Sequence, residues 1–240
     1  MQGTAELAHE PELLMASACC KHFAANQMED STVAGVHLVR HDFDARVTKQ
    51  DLLDSYLPPF QACVEEGHVS GLMCSYNAIN GVPSCASKWL LDTVARGEWS
   101  FDGYVVSDCG ADDDVFTRHH YTATAEEAVA AVLEAGQDLD CGSFVPERVQ
   151  GALDAGLVTE AQVDTAVRRA LRVRMRLGNF GPPTSLDAIL ANETLCSEYA
   201  HRLARDGAAQ ASVLLKNERC RADRVRVRVR VRVRVRVRVR

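Results

Sequence analysis

From about residue 9 to residue 178, short apolar runs alternate with amphipathic stretches. Four runs read as buried parallel strands, over residues 16–23, 71–76, 103–107 and 137–140. Helical patterns separate or follow them. Residues 48–66 open on Thr48 as an N-cap, with Asp51 in the first turn. Residues 88–96 follow the second run, and Gly97 is the expected C-cap. Residues 124–135 begin with a capping-box spacing, Thr124 to Glu127, and stop at Gly136. Residues 145–155 and 159–177 complete the helices of this part.

Strand followed by helix, repeated, predicts right-handed βα units. Four such units make half of an eight-stranded barrel, which needs about 250 residues when whole. The expected fold is therefore α/β, an incomplete (β/α)8 TIM-type barrel followed by a low-complexity Val-Arg tail. A small open α/β sheet is the alternative. The predicted division is a partial barrel domain over 1–180, a linker helix with the start of a second domain over 181–218, and the tail over 219–240. Within the middle part, residues 193–210 read as a helix and 212–216 as a short strand.

The tail changes the charge picture. The net charge is −6, but residues 219–240 hold eleven of the 27 basic residues and one Asp. The rest of the chain has 16 basic and 32 acidic residues, a balance of −16. Nucleic acid is an improbable partner for so acidic a body. In the tail, like charges at every second position repel, so disorder is expected there. A basic tail that binds polyanions is the sharper reading, and its affinity would fall steeply with salt. No apolar run reaches the eighteen residues of a membrane span, and the first residues show no secretory leader. The nine cysteines permit disulfides in an oxidising compartment. No pair has the spacing of a structural zinc site.

The candidate chemistry sits where apolar runs end. Tyr104-Val105-Val106-Ser107-Asp108 delivers a carboxylate at the C-terminal end of a strand, the end where sites form in parallel α/β folds. Asp108 suits attack on a glycosidic carbon, or it caps the following turn. Lys21 and His22 end the first run and offer donors for neighbouring hydroxyls, or they form a surface pair. Tyr76, at the end of the second run, is placed to orient a carboxylate or to pack under a loop. Asp138 and Asp140 either line the same mouth or cap the turn into the next helix. Asp112-Asp113-Asp114 and His119-His120 have poor ligand geometry and read as a solvated loop, so no metal is expected. There is no glycine-rich phosphate loop.

Several segments, in order over roughly residues 12–218, resemble glycoside hydrolase family 3, and within it the plant and fungal β-xylosidase type. They are Ala18-Cys19-Cys20-Lys21-His22-Phe23-Ala24, Phe43-Asp44-Ala45, residues 51–60, residues 69–83 with Met73-Cys74-Ser75-Tyr76-Asn77, residues 103–109, Tyr121-Thr122-Ala123-Thr124, residues 136–142 and Arg174-Met175-Arg176-Leu177-Gly178. Residues 211–217 look like the entry into the family's second domain. The resemblance implies a retaining exo-glycosidase without cofactor, acting on xylo-oligosaccharides or arabinoxylan fragments. Asp108 matches the nucleophile, Lys21 and His22 the pair that binds hydroxyls of the non-reducing-end sugar, and Tyr76 the tyrosine beside the nucleophile. Cys109, in place of the Trp of many family β-glucosidases, favours the xylosidase branch. The general acid/base of the family comes from the second domain, so no residue is matched to that role. Earlier barrel segments also have no counterpart. The other function class consistent with these features is a carbohydrate-binding fragment without turnover. Secretion is the family expectation.

Overall fold

Eight strands run through the described residues: β1 (Cys19–Phe23), β2 (Ser31–Val33), β3 (Val36–Leu38), β4 (Asp44–Ala45), β5 (Gly71–Cys74), β6 (Ala78–Ile79), β7 (Val82–Pro83) and β8 (Tyr104–Ser107). The structure is a computed structural model that describes residues 13, 14, 16–180 and 196–213. Of its two compact units, the second contributes one helix to these residues. The Val-Arg tail, and all but the first two residues of the predicted 212–216 strand, lie outside them.

Three of the four predicted runs form a parallel sheet in the order β1-β5-β8. The fourth contributes a single parallel bridge, Val106 to Leu139. It does not extend because the Asp138 and Leu139 amides both donate to the Val105 carbonyl, at 2.9 and 3.0 Å. Gly103 enters β8 where a side chain would run into the Ser70 backbone, so only glycine fits there. Leu72 and Val105 are fully buried on the sheet. Phe23 closes its end of the core against Phe60 and Trp99, with ring centroids 4.9 and 5.7 Å away.

The helices follow the amphipathic pattern, with three departures. Residues 48–66 do not form one helix. Thr48 caps α1 (Lys49–Asp51) as expected, a π-type turn follows over Leu52–Tyr56, and α2 is Pro58–Glu65. Pro58 and Pro59 carry no N–H, so the first helix must close before them and α2 starts with proline in its first turn. Gly97 is not a C-cap. The helix Trp89–Glu98 continues through it in wide turns, and the Trp99 amide reaches back to the Val94 carbonyl at 3.1 Å. Burial of Trp99 and Phe101 draws the chain further in, and Ser100, at φ 56°, makes the left-handed exit instead. The third departure is α3 (Ala111–Thr117), where a solvated loop was expected.

The remaining helices match the pattern closely. They are α4 (Ala125–Ala135), with its capping box between Thr124 and Glu127 and a left-handed Gly136, α5 (Phe144–Asp154) and α6 (Glu160–Arg176). Thr159 and Gln162 make a second capping box. In the other unit, α7 (Glu198–Ala211) starts later than the 193–210 pattern, because Ser197 supplies the cap by accepting from the Ala200 amide.

Two small sheets were not anticipated. β2 and β3 form a hairpin through Ala34 and Gly35, and β4-β6-β7 includes a hairpin through Asn80 and Gly81. Each pair of turn residues has positive φ, the geometry that suits a tight hairpin.

Three disulfides tie the unit together: Cys20–Cys63, Cys74–Cys85 and Cys109–Cys141. Cys19 and Cys196 are free among the described residues. Burial pushes the Cys19 thiol up to about 11, which keeps it protonated and unreactive.

Candidate active site

The sheet's hydrogen bonding continues past the C-terminal ends of its strands and sets the site. The Ser75 amide donates to the Phe23 carbonyl at 3.1 Å, and the Asp108 amide to the Cys74 carbonyl at 3.0 Å. Asn77, fully buried, donates through Nδ2 to the Ala24 carbonyl at 3.2 Å. These bonds hold the ends of β1, β5 and β8 side by side, and His22, Tyr76 and Asp108 meet there.

Asp108 has two differently used oxygens. Oδ1 accepts from the Cys109 amide at 2.8 Å. This is the turn-capping role that the sequence allowed, and it fixes the carboxylate plane. Oδ2 lies 3.2 Å from His22 Nε2. The Asp108 side chain keeps 13% of its surface exposed, enough for a ligand to reach it. Tyr76 is buried, and its hydroxyl donates to the Cys109 carbonyl at 3.0 Å. Burial, and then the neighbouring Asp108 carboxylate, push the Tyr76 phenol above its ordinary value. Tyr76 therefore stays a neutral hydrogen-bond donor beside the carboxylate.

Lys21 is on β1 with an exposed side chain. Among the described residues the side chain that contacts the Asp108 carboxylate across the sheet is His22, and no such contact of Lys21 is seen. The structure thus brings three of the four predicted residues together, and Lys21 is exposed beside His22 on the same strand.

Residues that the sequence did not single out, or assigned elsewhere, surround Tyr76. The Arg40 guanidinium lies 5.1 Å from its ring centroid. The His41 ring sits 4.0 Å away, tilted by 44°. His119 Nε2 contacts the Tyr76 carbonyl at 2.7 Å. The acidic run is not solvated: Asp112 and Asp114 are buried in the first turn of α3, where the helix dipole favours negative charge. Asp114 Oδ2 is 2.6 Å from His41 Nδ1.

Asp138 and Asp140 have separate fates. The Asp138 side chain is buried, taking Arg96 Nη2 at 2.6 Å and the Val105 amide at 2.8 Å on one oxygen, and Arg169 Nη1 at 3.2 Å on the other. It caps no helix and lines no mouth. Asp140 accepts from the Val145 amide in the first turn of α5 at 2.9 Å, the capping role expected. Among the described residues no group of three or more His, Cys, Asp or Glu could hold a metal ion, and no helix is long and apolar enough to cross a membrane.

A carboxylate at a strand end, flanked by a histidine and a neutral tyrosine, is arranged for attack on a polarised carbon. Comparison with known proteins decides the family. Residues 2–173 match the glycosyl hydrolase family 3 N terminal domain.

The chain belongs to glycosyl hydrolase family 3.

The family 3 chain is 44% identical over 210 residues to Beta-D-xylosidase 3 of Arabidopsis thaliana, covering 87% of this chain and 27% of that one. It is 46% identical over 206 residues to Beta-xylosidase/alpha-L-arabinofuranosidase 2 of Medicago sativa subsp. varia, covering 85% and 26%. Among solved structures, a GH3 exo-beta-xylosidase (XlnD) in complex with a xylobiose aziridine activity based probe superposes with a TM-score of 0.68 at 32% identity, covering 83% and 25%. A beta-glucosidase from Listeria innocua in complex with glucose does so at 0.68 and 29%, covering 85% and 27%. The family 3 chain spans about a quarter of the length of these relatives. Its parallel sheet belongs to the TIM-like α/β fold of the family's N-terminal domain.

Proposed function

We propose that the chain is barrel-domain sequence of a retaining, exo-acting β-xylosidase that releases xylose from xylo-oligosaccharides, with Asp108 as the nucleophile. The observation that carries this reading is the Asp108 carboxylate at the sheet's C-terminal edge, one oxygen fixed by the Cys109 amide and the other facing His22. In the proposed first step Asp108 Oδ2 attacks the anomeric carbon as the leaving oxygen departs with the bonding pair. A covalent glycosyl ester results, through an oxocarbenium-like transition state. Water then displaces Asp108 and restores the carboxylate. His22 and Lys21 bind hydroxyls of the non-reducing-end xylose, and Tyr76 orients Asp108. The second carboxyl group that a retaining mechanism uses, roughly 5–5.5 Å from the first, is not assigned to a residue of this chain.

The xylosidase names of the plant relatives favour a pentoside over a glucoside, and the Medicago name extends the reading to α-L-arabinofuranosides. The three disulfides support a protein of the secretory pathway or cell exterior. In the same proposal the four parallel segments belong to an eight-stranded barrel.

The test uses 2,4-dinitrophenyl β-D-xyloside, whose leaving group departs without protonation. Hydrolysis with β-xylose as the first-formed anomer by NMR, lost in Asp108→Asn while ligand binding persists, is expected. Inverted product, or an unchanged rate in Asp108→Asn, would refute the assignment.

A further inference from the structure

The acidic run after the nucleophile takes no part in the chemistry just described, yet its last member is buried and directed at the site. Asp114 lies in α3, which begins two residues after Cys109, and its carboxylate is 2.6 Å from His41 Nδ1. His41 comes from the loop between β3 and β4, and its ring lies 4.0 Å from that of Tyr76. Tyr76 returns the path to the nucleophile's own loop by donating to the Cys109 carbonyl. A closed circuit results: Asp108, the backbone into α3, Asp114, His41, Tyr76, and back to Cys109.

A second strut braces the same residue. His119 Nε2 contacts the Tyr76 carbonyl at 2.7 Å, and the His119 amide donates to the Asp114 carbonyl at 2.8 Å. Tyr76 is thus held on its ring face and at its backbone by groups that both depend on α3. An ordinary exposed ion pair adds little to a protein. This one differs because the Asp114 side chain is only 8% exposed. A carboxylate so buried requires a partner and constrains where that partner sits.

We propose that Asp114 and His41 are positioning residues of the glycosidase reaction, holding Tyr76 and through it the Asp108 carboxylate in attacking geometry. The inference rests on the reading of Asp108 as nucleophile. Neither residue need touch the sugar. Their contribution is orientation, where a misplacement on the order of 1 Å costs about 100-fold in rate.

The experiment follows covalent trapping of the full 240-residue chain by 2,4-dinitrophenyl 2-deoxy-2-fluoro-β-D-xyloside, read as dinitrophenolate release and added mass. Dinitrophenolate leaves with its bonding pair and needs no general acid, so the limiting rate reports attack by Asp108 alone. His41→Phe keeps an aromatic ring against Tyr76 but removes the link to Asp114. Asp114→Ala removes the same link from the other side. Each is expected to lower the limiting rate about 10- to 100-fold, with the half-saturating concentration unchanged within about twofold. The double variant is expected to fall no further than either single one, because both act through one contact. Asp114→Asn retains an oxygen acceptor for His41, is the variant least disturbing to folding, and is expected to recover most of the rate. Wild-type limiting rates in both single variants would overturn the inference while leaving Asp108 as nucleophile. A change confined to the half-saturating concentration would overturn it too, by assigning the pair to sugar binding. No trapping of the wild-type chain would remove the glycosidase reading itself, and the inference with it.

Discussion

His22 Nε2 lies 3.2 Å from Asp108 Oδ2, although His22 is on one outer strand of a three-stranded sheet and Asp108 directly follows the other. Strand β5 lies between them. It ends at Cys74, and its next residues fold down onto the end of β1 through the Ser75 and Asn77 hydrogen bonds. His22 can then reach across to the carboxylate, and Tyr76 enters from beside it. The site is a property of strand ends in register, and conditions that loosen the register should show up in the chemistry.

Asp138 is the clearest structural anchor of that register. Its carboxylate gathers Arg96, Arg169 and the Val105 amide while fully buried. Asp138→Ala leaves Arg96 in a buried position without its countercharge. Breaking a buried pair from one side costs about 3–5 kcal/mol. Urea unfolding should show a loss of that size, with trapping at Asp108 weakened as β8 loosens.

Asp112 predicts an unusual pH dependence. It is wholly buried, accepts from Gln137 Nε2 at 2.5 Å, and has the Asp140 carboxylate as a neighbour. Burial first, and Asp140 second, hold its pKa well above the ordinary Asp value of 3.8. The folded protein therefore keeps this proton longer than the unfolded chain does. The associated stability is complete below pH 3.8 and is lost as the pH rises through the folded-state pKa. Asp112→Asn removes the ionisation while keeping an acceptor for Gln137. It should raise stability near neutral pH by about 1–3 kcal/mol, with a gap over wild type that closes on acidification. Thermal unfolding between pH 4 and 8 measures both.

The Cys109–Cys141 disulfide closes a 32-residue separation beside Asp108. Loop entropy for that length predicts that replacing both cysteines with serine costs roughly 3–4 kcal/mol. The Gly110 amide still donates to the Cys141 carbonyl in the same place, so the loop should loosen without unfolding the domain. Calorimetry of the oxidised wild-type chain against the oxidised double serine variant should show that loss.

A further expectation concerns leaving groups. No residue of this chain is assigned as general acid, so phenyl β-D-xyloside, whose phenolate departs poorly, should be cleaved at least about 100-fold more slowly than the dinitrophenyl compound, in line with the usual contribution of acid catalysis. Equal kcat/KM values on the two substrates, which report the step that expels the leaving group, would reveal an acid among these residues.

Much of this was legible in the residue pattern. Strand-end logic selected Asp108, His22 and Tyr76 without reference to contacts, because apolar runs of strand length deliver whatever follows them to one edge. The capping chemistry at Thr48 and Thr124 marked helix starts for the same local reason. Two local signals were present but passed over: Pro58-Pro59, which must interrupt a helix, and Asn80-Gly81, a strong hairpin signal. Other features carry no local signal. Asp112 and Asp114 look solvated by composition, and their burial depends on Gln137 and on His41, 73 positions from Asp114. Lys21 and His22 are neighbours in sequence, and of the two His22 contacts the Asp108 carboxylate.

The most direct test of Asp108 is to locate the covalent adduct. After reaction with 2,4-dinitrophenyl 2-deoxy-2-fluoro-β-D-xyloside, proteolysis and tandem mass spectrometry should find one fluoroxylosyl ester, on the peptide containing Ser107-Asp108-Cys109, and none in Asp108→Asn. An ester on any other carboxylate, with Asp108 unmodified, would contradict the account.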